Sequence, residues 1–182
     1  MNIFFLDTDP KIAAQQHCDK HVVKMIIEYA QLLSTAHRLL DGAQYVQPNQ
    51  YNRQMKRWKL EDYREPILYK ASHINHPSAI WTRQCGDNYQ WLWKLFKHLC
   101  EEYRHRYGGE ENKEHKTSLL LAPLSFRPQN IDMYSPWTEP PQAMPDDVKV
   151  PGDSITAYRN YYKVHKARFA KWTNRETPNW YK

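Results

Sequence analysis

Residues 9–42, DPKIAAQQHCDKHVVKMIIEYAQLLSTAHRLLDG, hold the longest unbroken helical period in the chain. The pattern predicts one long helix. Asp9 offers an N-cap, Pro10 suits the first helical position and Gly42 suits the stop. At ~100° per residue, Cys18, Val22, Met25, Ile26, Tyr29, Leu32, Leu33, Ala36 and Leu40 cover one broad face. Val23, Ile27, Ala30 and Ser34 fill most of another. A helix that is apolar nearly all round is a buried helix. One narrow stripe is nevertheless polar: His17, His21, Lys24, Glu28, Gln31, Thr35 and Arg38. Ionisable groups on a core helix need partners or a cavity, because burying them alone is costly. The stripe therefore reads as the wall of a cleft. The alternative is a plain solvated face, although such a face is more often Lys and Glu alone than a pair of His.

The rest of the chain fits a helical body around that helix. Only 5 of 182 residues are Gly, while 41% are hydrophobic and 14% aromatic, which favours one packed domain spanning residues 1–182. No apolar run approaches the ~18 residues of a membrane span. The start, MNIFFLDTDP, has neither a basic n-region nor a cleavage site, so no signal peptide is expected. Cys18, Cys85 and Cys100 fall at apolar-face positions without a CxxC pair. Reduced thiols and a cytoplasmic setting follow as expectations.

In chain order, residues 2–6 form a short apolar run, and residues 53–60 suit a short helix before Pro66 breaks any continuation. His76-Pro77-Ser78 opens another helical stretch, reaching Tyr107 and divisible at Gly86-Asp87. Residues 111–121 suit a further short helix. Seven of the twelve prolines lie in residues 123–151, together with Phe126, Tyr134, Trp137 and Met144, so this stretch reads as an ordered strap laid over helices. Asp153 or Ser154 caps a last helix over residues 155–172. The expected fold class is all-α: a compact single-domain bundle around the buried helix 9–42, with the strap and a basic C-terminal helix.

Charge is uneven. The net charge is +6, and from residue 155 onward seven basic residues face Glu176 alone. Interleaved Tyr, Phe and Trp make this end a plausible nucleic-acid surface; an amphipathic helix with snorkelling cations is the alternative. His17 and His21, four apart, could meet one ion, yet Lys24 one turn on opposes a dense cation site. Lys20 and Lys24 are candidate amines for imine chemistry. His76, ahead of a helix, with Trp81 and Arg83 one turn in, could hold phosphate; a structural cap or packing partner is the alternative for either residue.

Several stretches resemble the pyrimidine-dimer DNA glycosylase family of the phage endonuclease V type. They are the MNI start, QHCDKHVVKM, NHPSAIWTR, NYQWLWKLFKHLCEEYRHRYG with its following HKT, and the tail RETPNWYK. Together they cover about half of the chain, discontinuously. The overall pattern also resembles uncharacterised phage-encoded proteins. The family resemblance implies a small helical domain acting on damaged pyrimidines in duplex DNA, as a glycosylase with abasic-site lyase activity. Its nucleophile would be the N-terminal amine, assisted by a Glu on the first long helix. Where that family carries an Arg-Glu pair, this chain has Val23 and Lys24, with Glu28 one turn later.

The resulting expectation is a DNA N-glycosylase acting on a damaged or modified base, with no cofactor. Met1, His17, His21, Lys24, Glu28 and His76 are the catalytic candidates. Arg38, Arg83, His115, Lys116, Arg159, Lys163, Lys166, Arg175, Trp180 and Tyr181 are the candidate duplex-DNA contacts. Two alternatives stay open. One is a metal-dependent hydrolase or nucleotide-processing enzyme built on His17, His21, Glu28 and a third His. The other is a non-catalytic DNA-binding or inhibitory module.

Overall fold

The computed structural model describes residues 1–182. Helices α1 (Pro10–Gln16) and α2 (Asp19–Asp41) are followed by strands β1 (Ala43–Pro48) and β2 (Gln54–Lys59). Then come α3 (Pro77–Thr82), α4 (Gly86–Tyr107), α5 (Leu121–Ser125) and α6 (Ser154–Tyr161). The molecule is mostly helical, but the all-α expectation is wrong: β1 and β2 form a two-stranded antiparallel sheet. No helix is long and apolar enough to cross a membrane.

The helix expected over residues 9–42 is two helices. Asp9 accepts from the amides of Lys11 and Ile12, capping α1, whose first residue is Pro10. The break falls at His17 and Cys18, both extended. A side chain causes it. His17 Nδ1 sits 2.7 Å from the Ala13 carbonyl, the acceptor its own backbone N–H would use in a continuous helix. The His17 amide turns instead to Ala14. Asp19 then opens α2, its carboxylate at the positive helix end and bonded to Arg106 and Thr173.

Residues 53–60 are not a helix. Asn49 Oδ1 accepts from the amides of Tyr51 and Arg53, and Asn52 adopts a φ of 58°. That turn sends 54–59 back along 43–48, pairing Tyr45 with Arg57 and Val46 with Lys56. Cross-strand pairing overrides a high local helical propensity, which eight residues alone cannot turn into a stable helix. The C-terminal helix is also shorter than expected. It ends at Tyr161, then loosens into a π turn (Tyr162–Lys166) and a 3-10 turn (Ala167–Phe169).

One cluster of 33 buried residues runs from Ile3 to Tyr162, with α2 against α3 and α4 at its centre. Residues 3–6 are buried in it. The proline-rich stretch crosses the helices through specific bonds. Asp41 accepts from the Gln129 and Asn130 amides, Trp81 Nε1 donates to the Thr138 carbonyl, and Tyr158 Oη donates to Pro141. It comes so near α4 that a Cβ on Gly86 would lie 2.7 Å from Met133 Sδ.

Candidate functional site

The polar stripe of α2 divides into two halves. At its C-terminal half, residues 60–76 run back along the helix and cover it. Arg38 is fully buried and donates to the carbonyls of Trp58, Glu65, Leu68 and Tyr69 and to the Glu65 carboxylate. Thr35 Oγ1 meets the backbone of Ser72. The stripe therefore does not line a cleft along its whole length, and Arg38 is a structural guanidinium, not a DNA contact.

At the N-terminal half the stripe is open. The buried run 3–6 brings Met1 alongside α2, with its α-amine 3.8 Å from Glu28 Oε2. Lys24 Nζ lies 3.1 Å from the other carboxylate oxygen. Glu28 is only 15% exposed while Lys24 is 69% exposed, so one carboxylate joins an inner amine to an outer one at the mouth. A cavity of about 180 Å³ opens here. Its wall comes from the N-terminal segment (Met1, Asn2, Phe4), from α2 (His21, Lys24, Met25, Glu28) and from the turn after α6 (Tyr161, Lys166). Lys166 Nζ stands 4.4 Å above the Tyr161 ring, and Lys20 Nζ 4.9 Å above Phe169. Lysines therefore gather near one half-buried carboxylate.

The two histidines of the stripe have separate jobs. His17 is fully buried with both ring nitrogens occupied. Nδ1–H donates to Ala13, and Nε2 accepts from the Tyr29 hydroxyl at 2.8 Å. The same hydroxyl accepts from the Phe4 amide at 3.2 Å. Burial, with a smaller push from Arg106, lowers the His17 pKa to about 4, the Ala13 carbonyl opposing. His17 is thus a fastener between the helix break and the N-terminal segment, not a reacting group. His21 is 5% exposed and lines the cavity. Its Nδ1 is 2.6 Å from the Tyr162 hydroxyl, which itself accepts from the Cys18 amide. The hydroxyl proton then points at Nδ1 and leaves Nε2 as the protonated nitrogen. Burial first, then His17, Lys166 and Lys24, push the His21 pKa down to about 2. It is neutral at any ordinary pH.

His76 caps α3, its Nδ1 accepting from the Ser78 amide. Burial lowers its pKa, and so do the Met1 amine and His73, with Glu28 opposing. The structure brings together Met1, His21, Lys24 and Glu28 at the cavity, sets His17 behind them and leaves His76 outside the cavity wall as the cap of α3.

Histidine ligation of a metal does not fit this arrangement. The His17 nitrogens are both committed, and no group of three or more His, Cys, Asp or Glu is placed to hold an ion.

Most of the C-terminal candidates hold the molecule together. Arg159 donates to the Leu6 carbonyl and lies 5.5 Å from the Trp180 ring. Arg175 pairs with Glu102, which is buried with Arg106. Trp180 Nε1 donates to Gln16, and Tyr181 packs on Trp172. These four tie the tail across the α1–α2 break, each half-buried and engaged inside the molecule. Lys163 is exposed, and Lys166 alone of this set reaches the cavity. His115 caps the turn at Lys116 by accepting from Thr117 and meets the Tyr103 ring edge-on. Neither His115, Lys116 nor Arg83 lines the amine cavity, and a buried nitrogen of Arg83 has no hydrogen-bond partner.

Sequence reasoning passed over Tyr29, Tyr161 and Tyr162. Nothing distinguishes these three among 13 tyrosines, because their roles depend on the helix break and the π turn. No family model, no curated protein and no solved structure matches this chain.

Proposed function

We propose that this chain is a DNA N-glycosylase with abasic-site lyase activity, acting on a damaged or modified base, with the α-amine of Met1 as nucleophile. The single observation carrying the reading is that amine, 3.8 Å from the Glu28 carboxylate at the edge of an open cavity. A neutral α-amine is a competent nucleophile toward a sugar carbon and can form an imine there. Glu28 occupies the place of an assisting carboxylate, one turn beyond the position the resemblance left unmatched.

The chemistry would proceed as follows. The base leaves the stack, as enzymes working on a base arrange. The neutral amine attacks C1′ of the sugar, the C1′–N bond breaks and the base departs with its electron pair. Ring opening yields a protonated imine, whose positive charge faces Glu28. Loss of a C2′ proton then expels the 3′ phosphate. Glu28 is the carboxylate available to take the C2′ proton, His21 can donate a hydrogen bond through Nε2–H, and Lys20, Lys24, Lys163 and Lys166 give flanking phosphates a cationic surround. A DNA substrate and three unpaired, buried cysteines fit a cytoplasmic setting.

The test is scission of a duplex carrying one abasic site. Glu28→Gln should lower the rate at least about 100-fold, the usual scale for a positioned acid or base. A chain carrying one alanine ahead of Met1 displaces the amine by up to ~3.8 Å and should lose scission while binding the same duplex. The intact mass establishes which residue is first. Unchanged scission in both variants contradicts the reading.

A further inference from the structure

The ribbon of β1 and β2 belongs to no part of the core. None of residues 43–59 enters the buried cluster or packs against it, and every β1 residue is exposed. Two strands alone are marginal in water; the body meets the ribbon only at its base, where Arg57 and Trp58 are half-buried and Arg38 donates to the Trp58 carbonyl. Its composition is one-sided. Arg53, Lys56, Arg57 and Lys59 stand in residues 43–60 without a single acidic residue. The register puts cations on both faces: Arg57 opposite Tyr45, and Lys56 opposite Val46. Gln44, Gln47 and Gln54 add amide groups along the strands.

We infer that this ribbon is a duplex-DNA arm that enters a groove away from the amine cavity. Cations on both faces suit a groove with phosphates on either wall, and a two-stranded ribbon fits the ~12 Å major groove, where Arg, Lys and Gln read base edges. A protein partner adding a strand is disfavoured at the β2 edge by Lys56, Arg57 and Lys59, and at the β1 edge by its six-residue length and its terminal Pro48. A membrane is disfavoured because Tyr45 and Met55 lie on one face and Val46 and Trp58 on the other, leaving no single apolar face to insert. The ribbon leaves α2 at Gly42, about 14 residues beyond Glu28. At 1.5 Å per residue that is about 20 Å, or roughly six base pairs of duplex. The arm shares the duplex substrate with the proposed glycosylase reading but does not depend on its chemistry.

The experiment measures binding of the full chain to a 30-base-pair duplex across a salt series. It compares wild type, the triple variant Arg53→Glu/Lys56→Glu/Arg57→Glu, and a control of equal charge change on other exposed lysines, Lys11→Glu/Lys94→Glu/Lys113→Glu. The ribbon variant should lose at least tenfold more affinity than the control. Its salt slope should flatten by about 2.7, from roughly 0.9 for each of three phosphate contacts. Equal losses in the two variants overturn the inference. So does ribbon-dependent binding to phosphatidylserine vesicles without ribbon-dependent duplex binding. Ribbon-dependent duplex binding by a wild type that makes no imine leaves the arm standing and removes the lyase reading. Imine formation with equal losses in the two variants does the reverse.

Discussion

At Tyr29 one hydroxyl joins three parts of the molecule. It accepts from the Phe4 amide and donates to His17, whose other nitrogen closes the end of α1. Removing it leaves a buried imidazole nitrogen and a buried amide unpaired, at a cost of about 1–3 kcal/mol. Tyr29→Phe should lower the urea midpoint accordingly and speed hydrogen exchange at the Phe4 amide, loosening the segment that carries Met1. The buried histidines also set an acid limit. His17 and His37 are held near 4 and His21 near 2, each mainly by burial. Between about pH 4 and 6.5 the unfolded chain binds protons that the native state does not, so stability falls as pH falls. The slope approaches ~1.4 kcal/mol per pH unit for each histidine, and the profile is level just above 6.5. Denaturation at a series of pH values checks this, and a level profile from 4 to 6.5 contradicts it. The gathering of His21, Lys24 and Glu28 could be read from their three- and four-residue spacing. The role of His17 could not, because the helix ends at that very residue.

On the scale of elements, α2 was legible as the core helix because one broad face is apolar along its length, but the second apolar face is not buried throughout, as Val23 and Ile27 stand exposed. Its covering was not legible. The segment 60–76 carries no periodic pattern, and only the structure places its carbonyls around Arg38. Truncating Arg38 leaves the carbonyls of Trp58, Glu65, Leu68 and Tyr69 without this donor, while the Glu65 carboxylate keeps the Leu60 amide and Lys70. Arg38→Ala should destabilise the fold by about 3–5 kcal/mol, read as a fall in the denaturation midpoint. A variant as stable as wild type that binds DNA more weakly would return Arg38 to the surface. The ribbon was misread for a different reason. Residues 53–60 alternate poorly, and their pairing depends on the Asn49 turn and on a partner strand six to sixteen residues earlier.

For the molecule as a whole, the basic aromatic tail is the main lesson. Its composition suggested a nucleic-acid face, and Lys163, Arg168, Lys171 and Lys182 are exposed, yet its rings and Arg175 are engaged inside the molecule. Trp172 and Trp180 both donate to Gln16, Thr173 and Arg106 share Asp19, and Arg175 meets Glu102. Composition shows that cations and rings are present but not which anions inside the protein they meet. Deleting residues 172–182 should therefore destabilise by at least about 3 kcal/mol, the scale of one lost packed tryptophan. A thermal melt reads the effect. A truncated chain that melts like wild type contradicts the inward role.

The amine of Met1 links all three scales: a hydroxyl at Tyr29 steadies its segment, α2 presents Glu28 to it, and the tail braces the break beneath. Borohydride reduction in the presence of duplex DNA with one abasic site, followed by mapping of the adduct, tests it most directly. The account predicts a covalent adduct on the α-amine, in the tryptic peptide of residues 1–11, formed far more slowly by Glu28→Gln. An adduct on Lys20, Lys24 or Lys166, or no adduct at all, contradicts it.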